Sequence, residues 1–141
     1  MSDIHFFSEK TDFTLPDPQK TKQWLIESVS TLKKNLLEIN YIFTSDDNLL
    51  NINVLHLNHD TYTDIITFDN SECDEELEGD IFISINRVEE NAKTFNESYD
   101  RELHRVMIHG ILHLAGYDDK TDKEKKAMRK LENHYLNLRN Q

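Results

Sequence analysis

Read as a sequence, the chain predicts an α+β fold: a small mixed β-sheet packed against about five helices, with a metal site on a central helix and the loop after it. Three observations carry that prediction. Several stretches space their apolar residues as helices do. Several shorter ones alternate or run apolar as strands do. One strongly apolar helical stretch carries His109 and His113 four residues apart, just ahead of Gly116.

In chain order, a strand is expected around Ile4–Phe7. Asp17-Pro18 has the form of an N-cap followed by proline at the first helical position, and Leu25, Val29, Leu32 and Leu36 continue as one helical stripe. Ile39, Tyr41 and Phe43 alternate as a strand. Asp46–Asn58 reads as a short helix whose stripe is Leu50, Val54 and Leu57. Two strands follow, Thr63–Phe68 and Asp80–Ile85, joined by an acidic, solvated loop. Asn86 is placed to cap a helix carrying Val88, Ala92 and Phe95, and Ser98 to cap the histidine helix, with Asp100 and Glu102 favourably near its N-terminus. That helix should stop at Gly116, a residue suited to the left-handed C′ position. Thr121-Asp122-Lys123-Glu124 matches a capping box and opens a last helix with Met128, Leu131, Tyr135 and Leu138 on one face. Without linker, repeat or low-complexity stretch, residues 1–141 are expected to form a single domain.

Composition narrows the function. The chain has 141 residues and a net charge of −11, which argues against a broad basic face for nucleic acid. A local cluster or a metal remains a route to a nucleic-acid substrate. No stretch approaches the length of a membrane span, and Met1–Lys10 lacks the basic start and apolar core of a signal peptide, so a cytoplasmic protein without membrane partners is expected. Cys73, the single cysteine, excludes an internal disulfide and reads as an ordinary loop thiol. Acid gathers from Asp69 to Asp80. Base gathers as Lys120, Lys123, Lys125, Lys126, Arg129 and Lys130, either a phosphate-facing rim or a plain helix surface.

The chemistry is concentrated in His109–Asp119. Histidines four apart on a helix lie about 40° apart around its axis and roughly 6 Å along it, so their rings can converge on one ion. Two imidazoles in an apolar helix are costly to bury unless something satisfies their nitrogens. Asp119, held between a helix stop and a helix start, is the candidate third ligand, with Asp118 its neighbour and competitor. The pattern H-x-x-x-H-x-x-G-x-x-D is close to the H-E-x-x-H-x-x-G-x-x-H of metzincin proteases. Gly110, however, stands where such a protease needs its glutamate base, which weakens a peptidase reading. A closed structural zinc site usually has four protein ligands rich in cysteine. Here only His104 and His134 are conceivable fourth ligands, and solvated helix surface is the expectation for both. Gly110 would also leave room beside the ion for a bulky substrate.

The chain resembles the YbeY family of bacterial metallo-endoribonucleases. Three blocks carry the likeness: H-G-I-L-H-L-A-G-Y-D-D at His109–Asp119, T-D-I-I-T-F at Thr63–Phe68, and G-D-I-F-I-S at Gly79–Ser84. The family ends its metal block with histidine where this chain has Asp119. It also carries a Tyr-Arg pair and a proline where this chain has His56, Leu57 and Tyr62, so the arginine linked to RNA handling is absent. The resemblance implies a single-strand-specific, metal-dependent endoribonuclease acting in ribosomal RNA maturation, at the 3′ end of 16S rRNA, and in ribosome quality control. It implies single-stranded RNA and the ribosome as partners, with no DNA. His109, His113 and Asp119 would hold one Zn²⁺, or another divalent transition metal, with a position left open for water. The general base is left unassigned, with hydroxide on that ion and Asp118 as the candidates. The alternatives are a non-catalytic, metal-stabilised ribosome-associated factor and a zinc peptidase.

Overall fold

Strand β1 (Asp3–Glu9) opens a computed structural model that describes residues 3–57 and 63–139. Helix α1 (Pro18–Ser30), strand β2 (Asn35–Thr44), helix α2 (Asp46–Leu57), strands β3 (Ile65–Asp69) and β4 (Glu76–Ser84) follow. Helices α3 (Ile85–Thr94), α4 (Tyr99–Leu114) and α5 (Asp122–Arg139) complete the described residues. The sheet order is β1-β2-β4-β3: β1 and β4 run parallel to β2, and β3 pairs antiparallel with β4. The expected α+β architecture, with five helices and a small mixed sheet, is what these residues adopt.

One sheet face buries Ile4, Ile39, Tyr41, Phe43, Leu77, Ile81 and Ile83 in a core shared with Trp24, Leu25 and Val29 of α1 and with most of α4. Helix α4 is the hub, lying against β3, β4, α3 and α5. Tyr41 donates its hydroxyl proton to the Met107 carbonyl (2.8 Å), which ties the middle of α4 to the central strand. Burial pushes the Tyr41 phenol well above its ordinary pKa, so it remains a donor. On the other face, Ile42 and Ile66 are buried, and α2 packs against β3 and β4.

Several expected details differ. The α1 stripe does not reach Leu36: the helix ends at Ser30 with Thr31 as C-cap, Lys33 takes φ 58°, and Leu36 pairs with Leu77 between β2 and β4. Asp17 precedes Pro18 as expected, but it adopts φ 47° and its side chain caps nothing. In α2 the buried pair is Leu49 and Asn53, while Val54 and Leu57 are exposed. An apolar helix with several Leu residues offers two candidate stripes, and the sheet selects one. Asn58 and Tyr62 lie outside the described residues. The acidic segment is loop only between Asp69, which closes β3, and Glu76, since Glu76, Glu78 and Asp80 belong to β4. Ser84, not Asn86, caps α3 by accepting the Arg87 N–H (3.1 Å). Asn86 instead accepts the Asp46 N–H (2.8 Å) at the start of α2. In α5, Leu136 is buried and Leu138 exposed.

Candidate metal centre and its cleft

The ends of α4 and α5 place the candidate ligands. Ser98 accepts the Arg101 N–H (3.1 Å) and starts α4 as expected. The helix closes with a Schellman motif: the Gly116 N–H donates to His113 O (3.0 Å) and the Tyr117 N–H to Leu112 O (3.0 Å), with Gly116 at φ 103°. The next helix is fixed as firmly. Thr121 N–H donates to Glu124 Oε1 (2.9 Å) and Glu124 N–H to Thr121 Oγ1 (3.0 Å), the reciprocal pair of a capping box. The Glu124 carboxyl pKa is lowered by these bonds, above all by the Thr121 N–H. The short segment between these two fixed ends carries Asp119.

There the three residues meet. Asp119 Oδ2 lies 3.4 Å from His109 Nε2, and Oδ1 lies 3.3 Å from His113 Nε2. The two imidazoles are 4.8 Å apart between centroids, at 73° to each other. Ligand atoms at about 2.0–2.1 Å from a common ion in tetrahedral array stand roughly 3.3–3.4 Å from one another. The two histidine–carboxylate separations have that size, each to its own oxygen of Asp119, and the three donor atoms lie within 4.8 Å of one another, so this His-His-Asp group could bind a metal ion. Among the described residues, His104 and His134 are not part of the group. His134 is exposed, whereas His104 departs from the expected solvated surface. It is 1% exposed, with Nδ1 2.7 Å from Asp100 O and Nε2 3.3 Å from Thr21 Oγ1. Asp118, the other candidate, is exposed and stands outside the group.

Behind the triad lies a buried polar network that sequence reasoning missed. Glu132, on α5 and 5% exposed, accepts from His109 Nδ1 at 2.7 Å through Oε2 and from Arg105 Nη1 at 3.2 Å through Oε1. A carboxylate can only accept here, so the Nδ1 of His109 carries a hydrogen, and Nε2 is the ring nitrogen that faces Asp119. Burial alone would lower the His109 pKa, but its bond to Glu132 and the charges of Glu132, Asp119 and Asp64 raise it on balance. Arg105 also donates to Asn133 Oδ1 (3.2 Å) and lies 3.5 Å from buried Glu102. Burial raises the Glu102 pKa against the pull of Arg105. One sequence signal did exist. Glu132 falls four residues after Met128 and three before Tyr135, on the apolar stripe of α5, where an unpartnered carboxylate would be costly.

Gly110 does something other than expected. A Cβ there would lie 3.0 Å from Ile65 Cδ1 and from Ile81 Cδ1 and Cγ2. The missing side chain lets α4 approach the sheet closely; it makes no space beside the triad. Space comes instead from clefts on either side. One, of about 310 Å³, is lined by His109, Asp119, Asp64, Asn91, Phe95 and Arg129, with Glu102, Arg105 and Glu132 on its floor. Burial raises the Asp64 pKa, with His109 acting in the opposite sense. The other cleft borders His113 and carries Asp69, Asp74, Glu76 and Lys34; Lys34 is tied to the Asp74 carbonyl. Of the basic run, only Arg129 lines the first cleft. Lys123, Lys125, Lys126 and Lys130 are exposed helix surface. No described helix is long and apolar enough to cross a membrane.

Comparison with known proteins places this arrangement in context. A family model described as Endoribonuclease YbeY matches residues 3–140. The chain is 52% identical over 136 residues to the Endoribonuclease YbeY of Cytophaga hutchinsonii, covering 96% of this chain and 95% of that one. It is 50% identical over 130 residues to that of Flavobacterium johnsoniae, covering 92% and 93%. A solution structure from Thermotoga maritima superposes with a TM-score of 0.62 at 33% identity, covering 94% of this chain and 86% of the other.

Proposed function

The chain belongs to the endoribonuclease YbeY family, and from that premise we propose that it is a single-strand-specific, metal-dependent endoribonuclease of ribosomal RNA maturation. RNA is its substrate, and it is a hydrolase. The finer reading places it in the cytoplasm, acting at the 3′ end of 16S rRNA and in ribosome quality control, with the ribosome as partner and neither DNA nor membrane involved. One Zn²⁺, or another divalent transition metal, is held by His109, His113 and Asp119, within a single folded domain of residues 1–141.

The observation that carries this reading is the convergence of His109 Nε2 and His113 Nε2 on the Asp119 carboxylate at 3.4 and 3.3 Å, with the far side of His109 oriented by Glu132. Two histidines and a carboxylate are an established catalytic zinc set that leaves one position open. When bound, such an ion acidifies water and polarises a phosphoryl oxygen, offsetting the charge that develops in phosphodiester cleavage. The chain's own part is to hold three donors in place before substrate arrives. Glu132 selects the His109 tautomer, Arg105 neutralises Glu132, and the two capped helix ends fix Asp119 between them. Two features weigh against a peptidase: Gly110 replaces the glutamate base and is buried against the sheet.

The test is cleavage of a single-stranded ribosomal RNA fragment by purified protein, with and without chelator, beside His113→Ala. Cleavage that disappears in both controls supports the reading. Cleavage that is equal in all samples removes it.

A further inference from the structure

Beside the metal group the cleft is uneven in its chemistry. Two of its carboxylates lie deep: Glu102 and Glu132 are buried and shared by Arg105, while Asp64, half-buried, accepts from Asn91 Nδ2 (3.3 Å) and Asp119 belongs to the metal group. Its mouth holds a cation and an aromatic ring. The Arg129 side chain is 53% exposed; its one ion pair within 4 Å among the described residues is Nε to Glu132 Oε1 at 3.8 Å, too long for a hydrogen bond, and its charge also reaches Glu102. Its terminal nitrogens are therefore available to a ligand. Phe95 is 57% exposed on the same cleft. Its backbone is held by a closed helix end, in which the Asn96 N–H donates to Lys93 O (3.3 Å), the Glu97 N–H to Ala92 O (2.8 Å), and Asn96 takes φ 55°. A single exposed ring is ordinary on a protein surface, but this one sits on a fixed backbone in the same cleft as Arg129 and the metal group. On the His113 side, the opposite cleft presents Asp69, Asp74 and Glu76, which repel a polyanion.

We infer that Arg129 and Phe95 form a nucleotide subsite next to the metal group. Arg129 takes a phosphate flanking the scissile one, and Phe95 takes the stacked face of an adjacent base. This rests on the reading of the site as a metal-dependent ribonuclease. A guanidinium fork matches two phosphate oxygens, and base–aromatic stacking is tolerant of sequence because every base has a π-face. A base can lie on Phe95 only after leaving its own stack, so the subsite supplies a physical reason for preferring single strands. The RNA then runs from His109 and Asp119 toward α3 and away from the acidic cleft. Both residues are positioning groups; neither touches the reacting atoms.

The test uses the full chain with Arg129→Ala, Phe95→Ala, Phe95→Leu and Lys130→Ala. Lys130 is a charge control one residue along α5, exposed and outside the cleft. Fluorescence anisotropy with a short labelled single-stranded RNA is read on chelated protein across salt. Steady-state cleavage is read after metal is restored. Arg129→Ala should weaken binding about tenfold and reduce the slope of log affinity against log salt by about 0.7, the value for one lost single-strand phosphate contact. Phe95→Ala should weaken binding about fivefold or more with the slope unchanged, and Phe95→Leu should match it, because stacking needs a ring. Both should raise KM with kcat within about threefold, and Lys130→Ala should stay within about twofold of wild type. If wild type cleaves but Arg129→Ala equals Lys130→Ala, or Phe95→Ala binds as wild type does, the subsite is wrong while the ribonuclease reading stands. A wild type that cleaves no RNA with metal restored sinks both.

Discussion

Replacing Glu132 by glutamine keeps the size of the side chain and sets its two partners against each other. Oε1 accepts from Arg105 Nη1 at 3.2 Å and Oε2 from His109 Nδ1 at 2.7 Å, so both oxygens are needed as acceptors. A glutamine offers one acceptor and one donor. With its oxygen toward His109, its NH₂ opposes the Arg105 guanidinium. With its oxygen toward Arg105, its NH₂ faces Nδ1 and favours the tautomer whose Nε2 carries a hydrogen and cannot bind metal. Bonds to charged groups contribute about 1.5–3 kcal/mol and neutral ones about 1, so the loss at His109 is roughly 1–2 kcal/mol. At about 1.4 kcal/mol per tenfold, zinc affinity should fall about 5- to 30-fold, near the range for loss of an outer-sphere carboxylate. The assay is competitive titration against a chromophoric chelator. A thermal melt in excess EDTA measures the separate cost to the apo fold, expected at about 1–3 kcal/mol because Arg105 loses a buried partner. A folded Glu132→Gln protein that binds zinc within twofold of wild type would refute the argument that this carboxylate orients the ligand.

Three further substitutions have outcomes that the same structure fixes. Asp119→His exchanges an anionic donor for a neutral one and leaves the ion more positive, so the acid limb of the pH–rate profile should move to lower pH; an unmoved limb counts against Asp119 as a ligand. His104 sits below its ordinary pKa of 6.5, chiefly through burial, with the Asp100 carbonyl opposing the shift. The fold therefore binds fewer protons there than the unfolded chain. Its contribution is complete above about pH 6.5 and is lost as pH falls beneath that value. His104→Gln in chelator should thus flatten the decline of Tm as pH falls below about 6.5, and an unchanged decline would discount His104 as its source. Gly110→Ala places a Cβ 3.0 Å from two isoleucines. Overpacking of about 1–3 kcal/mol, less about 1 of helix propensity, should leave a loss of up to about 2 kcal/mol in urea unfolding. Zinc affinity should stay within twofold, and a large fall there would return Gly110 to the site.

What could be read from the sequence was whatever depends on local chemistry. The Thr121–Glu124 box, the Ser98 cap and the Gly116 stop are short-range devices, and each is formed as expected. They also carry the part of the site that depends on them, the delivery of Asp119 to His109 and His113. Long-range selection was hidden. Whether Leu49 or Val54 faces the sheet, and whether Leu36 ends a helix or starts a strand, is decided by packing partners and by the turn at Lys33. Ser84 was overlooked as the α3 cap because it also closes a strand. The Arg105–Glu132–His109 chain joins α4 to α5; His109 stood out as a candidate ligand and Glu132 only by its place on an apolar stripe, but their link through Arg105 exists only once the two helices meet. Gly110 resisted for a similar reason. Its neighbours in the motif suggested the ion, whereas its neighbours in space are Ile65 and Ile81.

Diffraction from zinc-loaded crystals, measured on both sides of the zinc absorption edge, addresses the open three-donor centre most directly. One anomalous peak is expected at about 2.0–2.2 Å from His109 Nε2, His113 Nε2 and an Asp119 oxygen, with a non-protein ligand completing the shell. A map without that peak, or with a fourth side chain filling the shell, would contradict it.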